Sequence, residues 1–588
     1  MKRFKNIFII ATATLALASC KPDLMELFPY SSISSGSMWK SENLADKGVN
    51  AIYSTLFKEH VGISMYKFDC YGVSSDCRDQ DYPILTAKVT TGNGLFSGYW
   101  SQHYAGIHRA NDAIAHIPGV PEMSDSKKAR LMAESKVLRA YFYYKLNSMY
   151  KGVPLYLEPI EMEECTQGRE TEEKIWEVVI ADLTDAINET NLPAIYPKGD
   201  TNFGRITKSV AYSLRGKAYL YLKQWDKAAV DFEQVGNSGH SLFNGGYKQL
   251  FKEANEQSTE MVFSVQCIGL SGFGNDTNLR YGNRNSTAQQ GWNTYLVNTD
   301  FVDSYENKDG SPFNWNDVLP GYNEMTPEAR AVFFFRDGMT AKEKETWAGK
   351  GADMSKYLPD GNEARIKGAY DNRDPRLQAS IITPYSTYDG AAKTVANTYT
   401  LRWPYRGSDT EAPFDLRTDT NTKLYYLFRK FVAEGPTETP DRSYSPIDLP
   451  LIRYADILLN QAEAYNEMGD AGNMEKAIAC VNLVRARAGV ALLNSNASTT
   501  VTSQTDMRER IRNERRWEFN GEGINFFDEM RWNTWHESKF KEGAGLKQVW
   551  GEIEYKYAWY GDFLYTWPVP RTEREMNTNL TLADGWVD

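Results

Sequence analysis

The sequence is short of the residues that most catalytic and covalent chemistry requires. Its 588 residues hold six histidines, His60, His103, His108, His116, His240 and His536. None sits in an HExxH or comparable metal-ligand spacing. No G-x-S-x-G elbow and no phosphate-binding P-loop occurs. Six cysteines are scattered: Cys20, Cys70, Cys77, Cys165, Cys267 and Cys480. Setting Cys20 aside leaves an odd, widely spread set, which excludes a disulfide framework. Cys70 and Cys77 are either a pair across a loop or two buried thiols. Basic charge is also lacking. The net charge is −11, against the basic surface that nucleic acid demands. Beyond the N-terminus there is no run of 18 apolar residues, so no spanning helix is expected.

What the chain has is aromatic side chains, 13% of the residues with 15 Trp and 36 Tyr. Two readings fit this excess, a binding surface or a tyrosine-rich helical core. The N-terminus has a pattern of its own. MKRFKN is basic, residues 7–18 form a short apolar stretch, and LASC follows. This order resembles a lipoprotein signal in which Cys20 is acylated and becomes the first mature residue. We expect residues 1–19 to be a signal peptide and lipid to be the one membrane anchor. The acidic residues after Cys20 loosely resemble the surface-export signals of Bacteroidetes lipoproteins.

A length prior of about 150 residues per domain would divide residues 20–588 into about three or four units. The periodicity argues instead for one body, since helical repeats with long insertions reach this size. Apolar stripes predict helices over 42–58, with Ser41 as N-cap, and over 98–117, 126–149 and 171–190. Residues 206–235 read as two antiparallel helices joined at Lys223-Gln224-Trp225, with small residues including Ala211, Gly216 and Ala229 at the close approach. This resembles the tetratricopeptide pattern. A second such pair is expected over 451–490, turning at Gly469-Asp470, with further helix over 506–520 and 523–532. The expected architecture is mainly α: stacked helix pairs over about 41–236 and 446–535. Between them, about 238–445 is rich in Gly, Asn, Asp, Ser and Tyr and reads as long loops with short strands. Loops that long in a compact body are usually functional.

The motifs then become specific. MWKSENLADKGVNAIYSTL, YWSQHYAGIHRANDAIAHIP, AESKVLRAYFYYKL, NFGRITKSVAYSLRGKAYLYL, NRDPRL, LPLIRYADILLNQAEAYNEMG and IRNERRWEFNGEG follow one another along nearly the whole chain. Together they resemble the SusD/RagB family of outer-membrane nutrient-binding lipoproteins. Two positions depart from the family pattern: Ile524-Asn525 replaces an expected arginine step, and Asn577-Thr578-Asn579-Leu580 replaces Asn-Pro-x-Leu. Most charged residues inside the motifs, including Arg139, Arg453, Asp456 and Glu463, lie on apolar helix faces. They are expected to pair with one another and tie the repeats together.

The resemblance implies a cell-surface glycan-binding protein, not an enzyme and without a cofactor or metal. It acts as the lid of a SusC-like TonB-dependent outer-membrane barrel. A peptide-binding lid and a surface glycoside hydrolase are the alternatives. Carboxylates such as Glu514, Glu518 and Glu522 abound, but a hydrolase pair is defined by geometry. A sugar site needs aromatic rings against the C–H face and polar groups at the hydroxyl rim. One ring covering about 50 Å² contributes about 1 kcal/mol. Several rings with a few hydrogen bonds give binding between about millimolar and ten-micromolar, suited to capture and release. In the family the site lies on the loop after the first helix and in the central insertion, here residues 66–85 and 280–310. The resemblance therefore points to Trp292, Tyr82 and Tyr281 as stacking surfaces, and to Asp76, Arg78 and Asn283 as hydroxyl contacts. Trp292 is the leading candidate and Trp315 a further one.

Overall fold

The structure, a computed structural model, describes residues 35–79, 82–286, 290–392, 395–420, 422–435 and 441–588. The expected signal peptide and Cys20 lie outside these.

The helices begin where capping residues stand. Helix α1 (Glu42–Tyr53) starts behind Ser41, whose hydroxyl accepts from the Leu44 amide. It ends earlier than its apolar pattern, giving way to a tight 3-10 turn over Ser54–Phe57. Asn93 caps α2 (Gly94–His116), Ser124 caps α3 (Asp125–Tyr150) and Thr171 caps α4 (Glu172–Asn188). The next pair is α5 (Lys208–Tyr221) and α6 (Trp225–Asn237). Gly216 faces the Phe232 ring so closely that a Cβ there would lie 2.6 Å from it. Any larger residue would force these two helices apart.

After the insertion come α7 (Tyr454–Met468), α8 (Ala471–Ala488), α9 (Gln504–Glu518) and α10 (Asn525–Trp532). Gly469 closes α7 in the left-handed region, with φ +82°, where an L side chain would be strained. Helix α7 packs on α6 as well as on α8. The chain therefore leaves the stack after α6 and returns to the same place at α7. Buried apolar side chains run as one connected set from Trp39 to Trp586, with a smaller set between α7, α8 and α9.

The insertion is built from short helices and short strands, as its composition predicts. Among the described residues the strands form five two-stranded sheets. At its base, β2 (Met261–Val265) pairs antiparallel with β8 (Leu449–Arg453). Two pairings hold its body: β4 (Ile381–Ile382) with β7 (Leu427–Phe428), and the hairpin of β5 (Thr387–Ala392) and β6 (Val395–Thr400). A C-terminal hairpin joins β9 (Gly545–Lys547) to β10 (Ile553–Lys556). The fifth pairing joins β1 (Ser75–Cys77), from the loop after the first helix, to β3 (Tyr295–Val297), from the insertion. All five described cysteines are unpaired thiols, so Cys70 and Cys77 are buried thiols and not a disulfide.

The charged motif residues are paired as expected. Arg139 of α3 makes a two-pronged contact with Asp182 of α4, both bonds 2.8 Å. Arg531 holds Glu463 at 2.5 and 2.7 Å, and Arg515 bridges Asp456 and Asp528. The densest network surrounds Arg453, at the start of α7. Its guanidinium reaches Glu260 at 2.5 Å, Glu522 at 2.7 Å and Glu518 at 3.0 Å. Arg487 of α8 also contacts Glu260 and Glu518. Arg376, from the NRDPRL turn, joins Asp374, Glu514 and Glu518. Burial works against the Glu518 carboxylate, but Arg487, Arg453 and Arg376 outweigh it and hold its pKa at about 2.

A carboxylate with a depressed folded pKa contributes fully above its ordinary value and loses that contribution as pH falls through the folded one. Glu518→Gln is expected to cost about 3–5 kcal/mol at neutral pH, because it leaves buried arginines short of charge. The difference from the native chain should narrow as pH falls from 4.5 to about 2. Urea denaturation at a series of pH values reads both, and a difference that ignores pH would refute the ion-pair account.

Candidate functional site

The β1–β3 pairing brings the two expected binding stretches side by side, with Ser75, Asp76 and Cys77 opposite Val297, Leu296 and Tyr295. The contact continues one residue further, where the Arg78 amide donates to the Thr294 carbonyl at 2.9 Å. The Arg78 side chain, just past the strand end, points back across the junction. It donates to the Trp292 carbonyl at 3.0 Å and to Asp419 at 2.5 Å. Arg78 and Trp292 are thus neighbours although far apart in the chain. Trp292 is half-buried, and its amide donates to the Leu279 carbonyl. Its ring is not bare: the guanidiniums of Arg280 and Arg442 lie 5.6 and 5.3 Å from its centroid. Such contacts stabilise by about 0.5–1 kcal/mol at exposed sites.

Tyr82 flanks this junction. It is half-buried, its ring lies 5.3 Å from that of Tyr71, and its hydroxyl lies 3.4 Å from the Tyr295 hydroxyl. Burial, and then the neighbouring Cys70 and Tyr295, push its hydroxyl well above the ordinary tyrosine pKa. It stays a neutral donor at any physiological pH.

Four other expected site residues do not face solvent. Tyr281 has no exposed surface. Its ring stacks on Phe428 at 3.8 Å, and its hydroxyl donates to the Tyr66 carbonyl. It is a core residue here, with no ring face for a sugar. Trp315 is 6% exposed and packs on Tyr322, Phe334 and Tyr370, an aromatic cluster of its own. Asp76 is buried and its carboxylate is taken by Lys539 at 3.0 Å, Tyr557 at 2.6 Å and Asn298 at 2.9 Å. Asn283 is buried in the turn it shapes, accepting from the Asn285 amide at 2.8 Å. These placements correct the expectation: Tyr281, Trp315 and Asp76 are engaged inside the fold, and Asn283, although its Nδ2 has no hydrogen-bond partner, has no exposed surface to offer a ligand's hydroxyls.

Sequence reasoning named Arg78 but passed over the other arginines. Arg284 pairs with Asp419, as Arg78 does, and its Nη1 lies 3.4 Å from the Gln290 side chain. Arg442 donates to the Gln290 carbonyl at 3.0 Å. Arg280 and Arg284 stand four residues apart in RYGNR, a signal that was available. Nothing in the sequence pointed to Arg417, Asp419 or Arg442, which arrive from distant loops.

The three carboxylates considered for a hydrolase pair, Glu514, Glu518 and Glu522, are buried in ion pairs with Arg485, Arg376, Arg453 and Lys430. His103 is buried against the Tyr99 carbonyl, and burial lowers its pKa to about 3. Among the described residues no group of three or more His, Cys, Asp or Glu is placed to hold a metal. No helix among them is long and apolar enough to cross a membrane.

Helical repeats carrying an irregular insertion, with aromatic rings and arginines where insertion and N-terminal loop meet, define a class of scaffold. The chain belongs to the SusD family, whose model matches residues 259–586, more than half of its length. A second family model, described as starch-binding and associating with outer membrane, matches residues 24–220. SusD-like protein P25 of Formosa agariphila is 22% identical over 99% of this chain and 98% of its own length. A SusD-like protein of Bacteroides fragilis superposes with TM-score 0.72 at 23% identity, over 95% of this chain and all of that one. A structure described as a laminarin binding SusD-like protein gives TM-score 0.63 at 22% identity, over 93% of this chain and all of that one. These structural likenesses bear on the fold.

The two tryptophan and tyrosine candidates separate by stability. Tyr281→Ala should cost about 3–5 kcal/mol, as a lost core aromatic does. Trp292→Ala should cost less, about 1–2 kcal/mol, the two guanidinium contacts on a half-buried ring. Chemical denaturation of both variants distinguishes them; equal costs would mean that Trp292 is core as well.

Proposed function

We propose that this protein captures glycans at the cell surface and delivers them to a TonB-dependent outer-membrane barrel, which it covers as a lid. The observation that carries this reading is the β1–β3 pairing. It joins Arg78 and Trp292, with Tyr82 alongside, into one surface made from two remote stretches. A half-buried indole with guanidiniums over its ring and at its carbonyl brings an aromatic surface and hydrogen-bond donors together, the two kinds of group that a pyranose requires. The family supports the reading, as do the outer-membrane description of the second matching model and the printed name of the laminarin-binding relative. Acylation at Cys20 would supply the anchor. The scaffold carboxylates are consumed by ion pairs, which favours binding over hydrolysis.

Affinity electrophoresis against a panel of polysaccharides tests the binding. Trp292→Ala should weaken retention roughly fivefold, the loss of about 1 kcal/mol from one stacking surface. Unchanged retention would remove Trp292 from the site, and release of oligosaccharides by purified protein would establish a hydrolase instead. Cys20→Ala should abolish incorporation of labelled fatty acid and shift the protein out of the membrane fraction. Persistence of both would exclude a lipid anchor at Cys20. Co-purification with a large outer-membrane barrel tests the partner.

A further inference from the structure

Five arginines from separate parts of the chain gather at this junction: Arg280 and Arg442 lie over Trp292, Arg78 reaches its carbonyl, and Arg284 and Arg417 stand next to these. Arg78 follows β1, Arg280 and Arg284 bracket the turn before the tryptophan, Arg417 lies on the loop after β6, and Arg442 precedes β8. The Arg284 amide donates to the Arg417 carbonyl at 3.0 Å, which brings these two loops into register. Among the described residues three carboxylates stand beside Arg78, Arg280 and Arg284. Asp419 is shared between Arg78 and Arg284. Asp276, which binds Arg280 at 3.2 Å, also accepts from Tyr66 and lies 3.5 Å from Lys67. Asp79 lies 3.7 Å from Arg78 and is largely exposed. Arg417 has no ion pair among the described residues. Burial, and then the nearby charges of Arg417, Arg78 and Arg442, hold the Arg284 guanidinium below its ordinary pKa.

The scaffold has no need of this arrangement. One carboxylate bridging two guanidiniums is enough to tie the loops together, and each further cation adds repulsion. Nor does composition account for it, since the chain as a whole carries a net charge of −11. The side chains remain reachable: Arg78 and Arg284 are each 23% exposed and Arg280 32%. The planar fork of arginine matches the paired oxygens of a carboxylate or a sulfate. Two of these forks already lie over the ring of the leading aromatic candidate, so a sugar seated there meets cations at its rim.

We infer that the ligand is an anionic glycan, a polymer carrying carboxylates or sulfate esters, whose charges are bound by this arginine cluster while Trp292 covers an adjoining ring face. This rests on the reading of the Trp292 surface as the glycan site and adds the class of glycan. The test is calorimetric titration of the detergent-solubilised full chain with oligogalacturonates, sulfated galactan oligosaccharides and neutral β-glucan oligosaccharides. At least one acidic set should bind at low salt, more tightly than the neutral set, and weaken about tenfold or more at high salt. Which acidic set binds separates carboxylate from sulfate. Arg417→Gln and Arg442→Gln should each weaken that binding about tenfold, the size of a lost hydrogen bond to a charged group, and Arg417→Gln should do so with the melting temperature unchanged. Neutral glycan bound in a Trp292-dependent way, with acidic glycans no tighter, overturns the anionic assignment and leaves glycan capture standing. Binding of none of the three overturns both.

Discussion

A buried run of alternating charge, from Arg485 through Glu514, Arg376, Glu518 and Arg453 to Glu522 and Lys430, holds the rest of the molecule in place. Taking such groups out of water costs several kcal/mol per ion unless partners are placed to receive them. No one element can supply those partners. Helix α9 brings Glu514 and Glu518, α8 brings Arg485 and Arg487, the strand before α7 brings Arg453, and the insertion brings Arg376 and Lys430. All must arrive together, so the network acts on geometry more than on stability. Replacing buried ion pairs by apolar groups is often neutral, whereas misplacing one partner is severe.

The same residue type serves the opposite purpose at the surface. Inside, every arginine of the run has its carboxylates, and Glu518 answers three cations at once. Beside Trp292, among the described residues, one carboxylate, Asp419, serves both Arg78 and Arg284, and Arg417 has no ion pair. The inner network fixes where the insertion sits, the β1–β3 pairing fixes where its edge meets the N-terminal loop, and the surface arginines occupy that edge. Position and chemistry are therefore set by different layers of one fold.

Much of the scaffold was legible in the sequence because its rules are local. Ser41, Ser124, Thr171 and Thr207 each cap the helix that follows, and Gly469 stands where α7 must turn. The paired charges were legible because an arginine on an apolar helix face has no alternative to a partner. The site was legible by region and only partly by residue. The stretches 66–85 and 280–310 do meet, and Arg78 and Trp292 touch. Tyr281 and Trp315 lie in the core because, in an irregular segment, no periodicity separates a packed ring from a presented one. Asp76 failed for a related reason: its partners Lys539 and Tyr557 come from the far end of the chain. Arg417 and Arg442 could not be seen because nothing local marks a cation as one of a crowd.

The return of the chain to α6 has a further consequence. Because α7 packs where α6 ends, the two ends of the insertion stand together at the base whatever lies between them. Closing a flexible excursion costs only about 0.6 kcal/mol more for each doubling of its length. The stack is thus nearly indifferent to how much chain is spliced in, provided that an arginine such as Arg376 and a lysine such as Lys430 still dock on α9 and its C-terminal turn. Such a scaffold works as a socket: loops can be lengthened, shortened or exchanged above it while the part that holds them stays the same.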